Sequence, residues 1–116
     1  MIRASDVRRL ALSLPKAKER ETWGEATFRV GEKIFMILGH NGREASVKAR
    51  PEHQQSIIAS DRRSFAVAPY VGRFGWVTVK LKTVDRAAMR VLVIDAWRLT
   101  APKRLVKSYD MAADTG

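Results

Sequence analysis

The residues of this 116-residue chain whose types could do chemistry are two histidines, a group of glutamates and a large excess of cations. His40 lies beside Asn41-Gly42, and His53 follows Pro51 in a helical pattern. Neither has carboxylates at the spacing zinc sites use, and each reads as a surface histidine. Cysteine is absent, which excludes disulfides, thiol nucleophiles and thiolate metal ligation. Glu19, Glu21 and Glu25 gather around Trp23 in "KERETWGEA"; a metal or acid–base pair would need them to converge, and a polar connector explains them equally well. The serines stand in no nucleophile motif. "GRFG" (72–75) leads into a strand pattern rather than a helix, so it lacks the context of a phosphate loop. The chain reads as non-enzymatic, with no catalytic residue, cofactor or metal.

The cations carry more information. Lys and Arg number 22 against 12 Asp and Glu, a formal charge of +10. Such an imbalance argues for an anionic partner. In "APYVGRFGWVTVKLKT" (68–83), Val77, Val79 and Leu81 alternate with Trp76, Thr78, Lys80 and Lys82. Successive strand side chains point to opposite faces, so the first set is a core face and the second an open one. The same parity places Thr27 and Arg29 on the open side of "TFRV", and Ser46, Lys48 and Arg50 on the open side of "EASVKAR". Arg73 in the glycine loop extends the set. Arg29, Lys48, Arg50, Arg73, Lys80 and Lys82 make a one-sign face without a carboxylate. Such a face suits a phosphate backbone, with Trp76 as a ring for stacking. The reading requires the strands to share one sheet, because a one-residue slip inverts a strand. For Trp76, packing and stacking both stay open. Trp97 reads as packing at a helix–sheet boundary, and Trp23 as an anchor for the first strand. Arg86, Arg90, Lys103, Arg104 and Lys107 read as a solvated helix face.

The elements that must position these groups follow from pattern. Val7, Leu10, Ala11 and Leu14 recur at helical spacing behind Ser5 and stop at Pro15. "KAKERETWGEA" is expected to be a polar connection. "TFRV" and "KIFMIL" flank the turn Gly31-Glu32, and Asn41-Gly42 leads into "EASVKAR". Pro51 suits the first turn of a helix over "PEHQQSIIAS". "SFAVAPY" is a fourth strand and Trp76–Lys82 a fifth. Asp85 caps a long helix to about Ala101, and a shorter helical piece, "KRLVKSYDM", follows Pro102. The order α-β-β-β-α-β-β-α(-α) predicts an α+β fold: a mostly antiparallel five-stranded sheet with helices on one face and the other face open. One domain over 1–116 is expected, with residues 111–116 frayed. No apolar run approaches the ~18 residues of a membrane span. No signal peptide is read, so a cytoplasmic protein without a membrane partner is expected.

Taken in order, "LALSLP", "TWGEATFRVGEKIF", "RPEHQQSIIASD", "YVGRFGWVTVKL" and "DAWRLTAPKRLVKSYD" resemble the MmcQ/YjbR family of small bacterial proteins across nearly the whole chain. The resemblance implies a frataxin-like (CyaY-like) architecture. It also implies the DNA-binding role, with a "double-wing" arrangement, that is generally ascribed to members on their fold. Trp23, Gly24, Phe28, Trp76, Val77, Trp97, Ala101, Pro102, Lys103 and Arg104 match the family pattern. Phe74-Gly75-Trp76 departs from members with an "HWN"-like segment before the fifth strand. Frataxin-like iron binding is not expected, because those iron surfaces are acidic and fold likeness does not carry function.

The function expected from the sequence is nucleic-acid binding, DNA above all, by phosphate contacts with little sequence preference. The competing expectation is a non-enzymatic module that binds an acidic protein through the same cations.

Overall fold

The computed structural model describes residues 1–115. It contains α1 (Ala4–Leu12), β1 (Ala17–Thr22), β2 (Glu25–Val30), β3 (Lys33–Leu38), β4 (Glu44–Val47), α2 (Pro51–Ser60), β5 (Phe65–Val67), a 3₁₀ turn (Val71–Phe74), β6 (Val77–Lys80), α3 (Arg86–Thr100) and α4 (Lys103–Thr115). The strands form one antiparallel sheet in the order β1-β2-β3-β4-β6-β5. α3 packs across β2, β3 and β4, α1 against α3 and β1, and α2 against β5. Phe28, Met36, Val47, Val77, Val79 and Leu81 from the sheet share one buried cluster with Val7, Ala11, Met89, Val93 and Trp97 from the helices. Period-2 and period-3.6 patterns therefore meet on a single core, as the alternation predicts.

Local signals place the helix ends. The Asp85 side chain accepts from the Ala88 N–H at 2.9 Å and starts α3. Pro51 occupies the first turn of α2. α1 begins one residue before the expected Ser5 cap. The Arg3 N–H donates to the Asp6 carboxylate at 2.9 Å, and this bond holds the Asp6 carboxyl below its usual range. The Trp97 indole N–H donates to the Pro15 carbonyl at 2.9 Å, tying α3 to the end of the first helical segment.

Two differences from the pattern are structural. The sheet has six strands, because β1 lies inside the stretch expected to be a connector. It pairs with β2 through Ala17↔Val30 to Thr22↔Glu25, joined by the two-residue turn Trp23-Gly24 at φ 53° and 81°. Positive φ at both turn residues matches the right-handed twist of a hairpin. Trp23 is 98% exposed at that tip and anchors nothing. The second difference is a bulge between β2 and β3. Phe28 faces Met36 and Arg29 faces Ile34, so Phe35 is the extra residue. Phe35 and Met36 are consequently both buried, which simple alternation forbids. α4 runs to Thr115, and the last residue of the stretch expected to fray, 116, lies outside the described residues.

The antiparallel ladder gives the sheet two distinct ends. The β3–β4 turn and the last residue of β6, Lys80, lie at one. The β2–β3 turn at Gly31-Glu32, the end of β4 and the start of β6 lie at the other, near Arg50.

Candidate nucleic-acid interface

The cross-strand register fixes what the helix-free face presents. Lys18 pairs with Arg29, Arg20 with Thr27, Thr22 with Glu25, Thr27 with Ile37, Ile37 with Ser46, Ser46 with Thr78, and Glu44 with Lys80. Opposed residues of an antiparallel pair share a face. Lys80 thus points away from the core, as its parity predicts. The expectation of a face free of carboxylate is corrected: Glu25 and Glu44 lie on it. Arg29 is corrected too. Its Nε donates to Thr27 Oγ1 at 3.1 Å, Nη1 to the Glu32 carbonyl at 3.3 Å and Nη2 to Thr22 Oγ1 at 3.1 Å. The guanidinium thus bridges β1, β2 and the β2–β3 turn, with each nitrogen donating one bond. Lys48 is half-buried just beyond β4, where its N–H donates to the Phe35 carbonyl at 3.0 Å.

Trp76 is 8% exposed. A ring so covered is no stacking platform, and its expected contact role is corrected to packing. The loop between β5 and β6 folds back over the helix-free face. Val67, Pro69, Tyr70 and Val71 there wall a groove of about 510 Å³ whose other lining includes Ile37, Ser46, Thr78, Glu25 and Glu44. That face is therefore mixed in charge.

The free cations collect at the two ends. At the Lys80 end, Arg3, Arg43, Lys80 and Lys82 line a cleft of about 1110 Å³, with Asn41 and Glu44 among them. Backbone bonds from Ile2 N–H to the Leu81 carbonyl (3.3 Å) and from Leu81 N–H to the Arg43 carbonyl (3.0 Å) hold its walls.

At the Arg50 end, two grooves of about 530 and 830 Å³ share Val30, Gly31 and Pro102. Lys16, Lys18 and Arg104 line the first, and Lys33, Arg50 and Lys103 the second. Among the described residues, none of these six has a carboxylate within 4.0 Å. The one carboxylate lining the grooves, Glu32, accepts from Arg20 at 3.1 and 3.4 Å. That bond keeps its carboxyl below the usual range. Arg98, also in the lining, is held by Asp95 (2.8 Å) and Asp110 (2.7 Å). The grooves exist because the β2–β3 turn meets the α3–α4 junction, where Pro102 lacks an N–H and the chain turns into α4.

Of the expected set, Arg50 alone lines these grooves. Arg73 is exposed on the 3₁₀ turn, its guanidinium 4.7 Å from the centre of the Phe74 ring. Lys80 and Lys82 belong to the opposite end. The sequence pattern does not single out Lys16, Lys18 and Lys33, and it puts Lys103 and Arg104 on a solvated helix face. No sequence spacing links these residues; the junction of two turns brings them together.

A small α+β protein with a six-stranded antiparallel sheet, one helix-covered face and free cations at both sheet ends is the class that fold and site define. The YjbR family model matches residues 12–99, and the chain belongs to the YjbR family. The chain is similar to the crystal structure of Deinococcus radiodurans protein DR2400, which carries a DUF419 domain. The TM-score is 0.77 at 22% identity, covering 85% of this chain and 78% of that one. At that identity the likeness concerns the fold. No curated protein matches the chain. Among the described residues, no helix is long and apolar enough to cross a membrane.

Proposed function

We propose that this protein binds nucleic acid, DNA in the first place, through its phosphate backbone at the Arg50 end, acting in the cytoplasm and without catalysis. Lys16, Lys18, Lys33, Arg50, Lys103 and Arg104 make the contacts, flanked by Lys48 and Arg73. Lys80 and Lys82, with Arg3 and Arg43, form a smaller second contact. The observation that carries the reading is the pair of adjoining grooves lined by the six cations, whose one lining acid, Glu32, is bonded to Arg20. Like charges held together without counter-charge repel, and a row of phosphates relieves that repulsion while releasing condensed counterions. Four of the six are lysines, point charges that hold a phosphate without demanding one planar geometry. Contacts made to phosphate oxygens carry no sequence information, so little base reading is expected.

The test is a titration with duplex DNA, single-stranded DNA and polyglutamate between about 50 and 200 mM salt. Six duplex phosphates at ~0.9 counterions each give a log–log slope of about −5. Equal affinity for polyglutamate and for both nucleic acids overturns the reading in favour of an acidic protein partner.

A further inference from the structure

We infer that the loop from Pro69 to Gly75 is a stacking platform for unpaired bases, so that the strand tracked by the Arg50-end cations is single-stranded where it crosses this loop. The inference rests on the nucleic-acid reading above and adds the class of ligand. Tyr70 is 95% exposed and Phe74 57% exposed, four positions apart around a 3₁₀ turn. Large aromatics left in water lose the burial that normally fixes them.

This loop is not slack. The Gln54 amide, from α2, donates to the Gly72 carbonyl at 2.7 Å and to the Trp76 carbonyl at 2.9 Å. A Cβ at Gly75, at φ 105°, would collide with the Ala49 carbonyl and the Pro51 nitrogen, so the backbone is seated directly on the start of α2. A Cβ at Gly72 would collide with the Val67 side chain. Tyr70 stands at φ 63°, ψ −57°, with the Val71 N–H donating to the Pro69 carbonyl at 2.6 Å. That is a γ-turn of the rare, strained kind. A non-glycine residue keeps such a conformation only where its surroundings enforce it. Here the enforcement aims a phenol ring outward.

The charge around the rings selects the occupant. The Arg73 guanidinium lies over the Phe74 ring, 4.7 Å from its centre, and the ring stays 57% exposed. Because Gly75 abuts Ala49–Pro51, the loop adjoins Arg50, which lines the groove toward Lys33 and Lys103. Phe74 and Arg73 stand on the Arg50 side of the loop, while Tyr70 also walls the groove that holds Glu25 and Glu44. Every base has a π-face for such rings, and the phosphates follow the cations. A duplex keeps its bases stacked internally and offers such rings nothing.

The experiment measures Tyr70→Ala, Phe74→Ala and the double variant against an oligo-dT single strand, a duplex of equal length, and vesicles containing phosphatidylserine. Each single variant is expected to weaken single-strand binding about tenfold, within the range a lost base–aromatic stack gives, and the double variant more. Duplex affinity should stay within about twofold, since duplex binding rests on phosphate contacts. Tyr70→Phe, which keeps the ring, should retain single-strand affinity. Unchanged melting temperatures establish that the exposed rings are not structural. Unchanged single-strand affinity in the double variant overturns the inference while leaving the backbone reading standing. So does an equal loss for both nucleic acids. Loss of vesicle binding alone assigns the loop to a lipid surface and overturns it as well. Failure of the unsubstituted protein to bind either nucleic acid removes the underlying reading and this one with it.

Discussion

The two ends of the sheet both gather cations, yet they differ in where the carboxylates stand. At the Lys80 end, Glu44 is directly across from Lys80 in the β4–β6 register, and Asp6 draws Arg9 and Arg86 to within 3.9 Å. Among the described residues Arg3, Arg43, Lys80 and Lys82 have no ion pair either, but Glu44, itself in no ion pair, stands in their cleft. At the Arg50 end, the carboxylates near the grooves are committed elsewhere: Glu32 to Arg20, and Asp95 and Asp110 to Arg98. Among the described residues, the six groove cations have no ion pair of their own. In a chain of net charge +10, cations are found on most surfaces, so their number distinguishes little. The placement of the few acids decides which surface holds an uncompensated field.

The comparison can be broken or sharpened in graded steps. The largest effect is expected from the scaffold of the Arg50 end. Trp76→Ala empties a buried site at the start of β6 and should cost ~3–5 kcal/mol of stability in a denaturant titration. A loss below about 1 kcal/mol would mean that the ring is dispensable for packing. Next comes the triple variant Lys33→Glu, Arg50→Glu, Lys103→Glu. It should lower duplex affinity by about two to three powers of ten near 0.1 M salt and flatten the salt slope by about 3. The double variant Lys80→Glu, Lys82→Glu should cost less, about fivefold, with a slope change of no more than about 2. A double-variant loss equal to that of the triple would erase the distinction between the ends.

Smaller still, Glu32→Gln removes the one acid from the grooves and releases Arg20. Binding should tighten about two- to threefold, measured at fixed salt. The smallest step is in pH. Hydrogen bonds depress the carboxyls of Glu32 (Arg20 side chain), Asp6 (Arg3 backbone) and Asp61 (Ser64 hydroxyl). Each is a stronger acid in the fold than in the unfolded chain. The stability it brings is complete above the unfolded pKa and is lost as pH falls through the lower folded one. The melting temperature should therefore decline below about pH 4, with a shallower decline in Glu32→Gln. A flat profile there would show that these carboxyls do not hold the fold.

How much of this the sequence discloses depends on the kind of signal. Alternation places Val77, Val79, Leu81, Phe28 and Val30 on the buried face, because burial itself imposes the period, while Trp76 and Thr27 are buried in spite of the opposite parity. Parity says which face a residue takes but not which end of the sheet it reaches. Antiparallel strands carry Lys48 and Lys80 to opposite ends although both lie on the helix-free side. β1, "AKERET", stayed hidden because only its two terminal residues are even half-buried. Glu19 turns to Arg8 of α1 at 3.0 Å, and Arg20 turns to Glu32. Such a strand has no apolar face to betray it. Gln54 is a similar case: an ordinary glutamine in a helix, it becomes the anchor of the aromatic loop only once α2 and the 3₁₀ turn are brought together.

That same hidden strand has a second consequence, for the behaviour of the protein in a crowd. A sheet of six strands has two outer rims with unpaired N–H and C=O groups, each able to template another chain. One rim is β5, only three residues long and followed closely by Pro69. The other is β1, with Lys18, Glu19, Arg20 and Glu21 in succession. Any chain that docked there would have to strip water from charges on both sides of the strand. The stretch that looks least like a strand is thereby the one that keeps the sheet from growing into its neighbours.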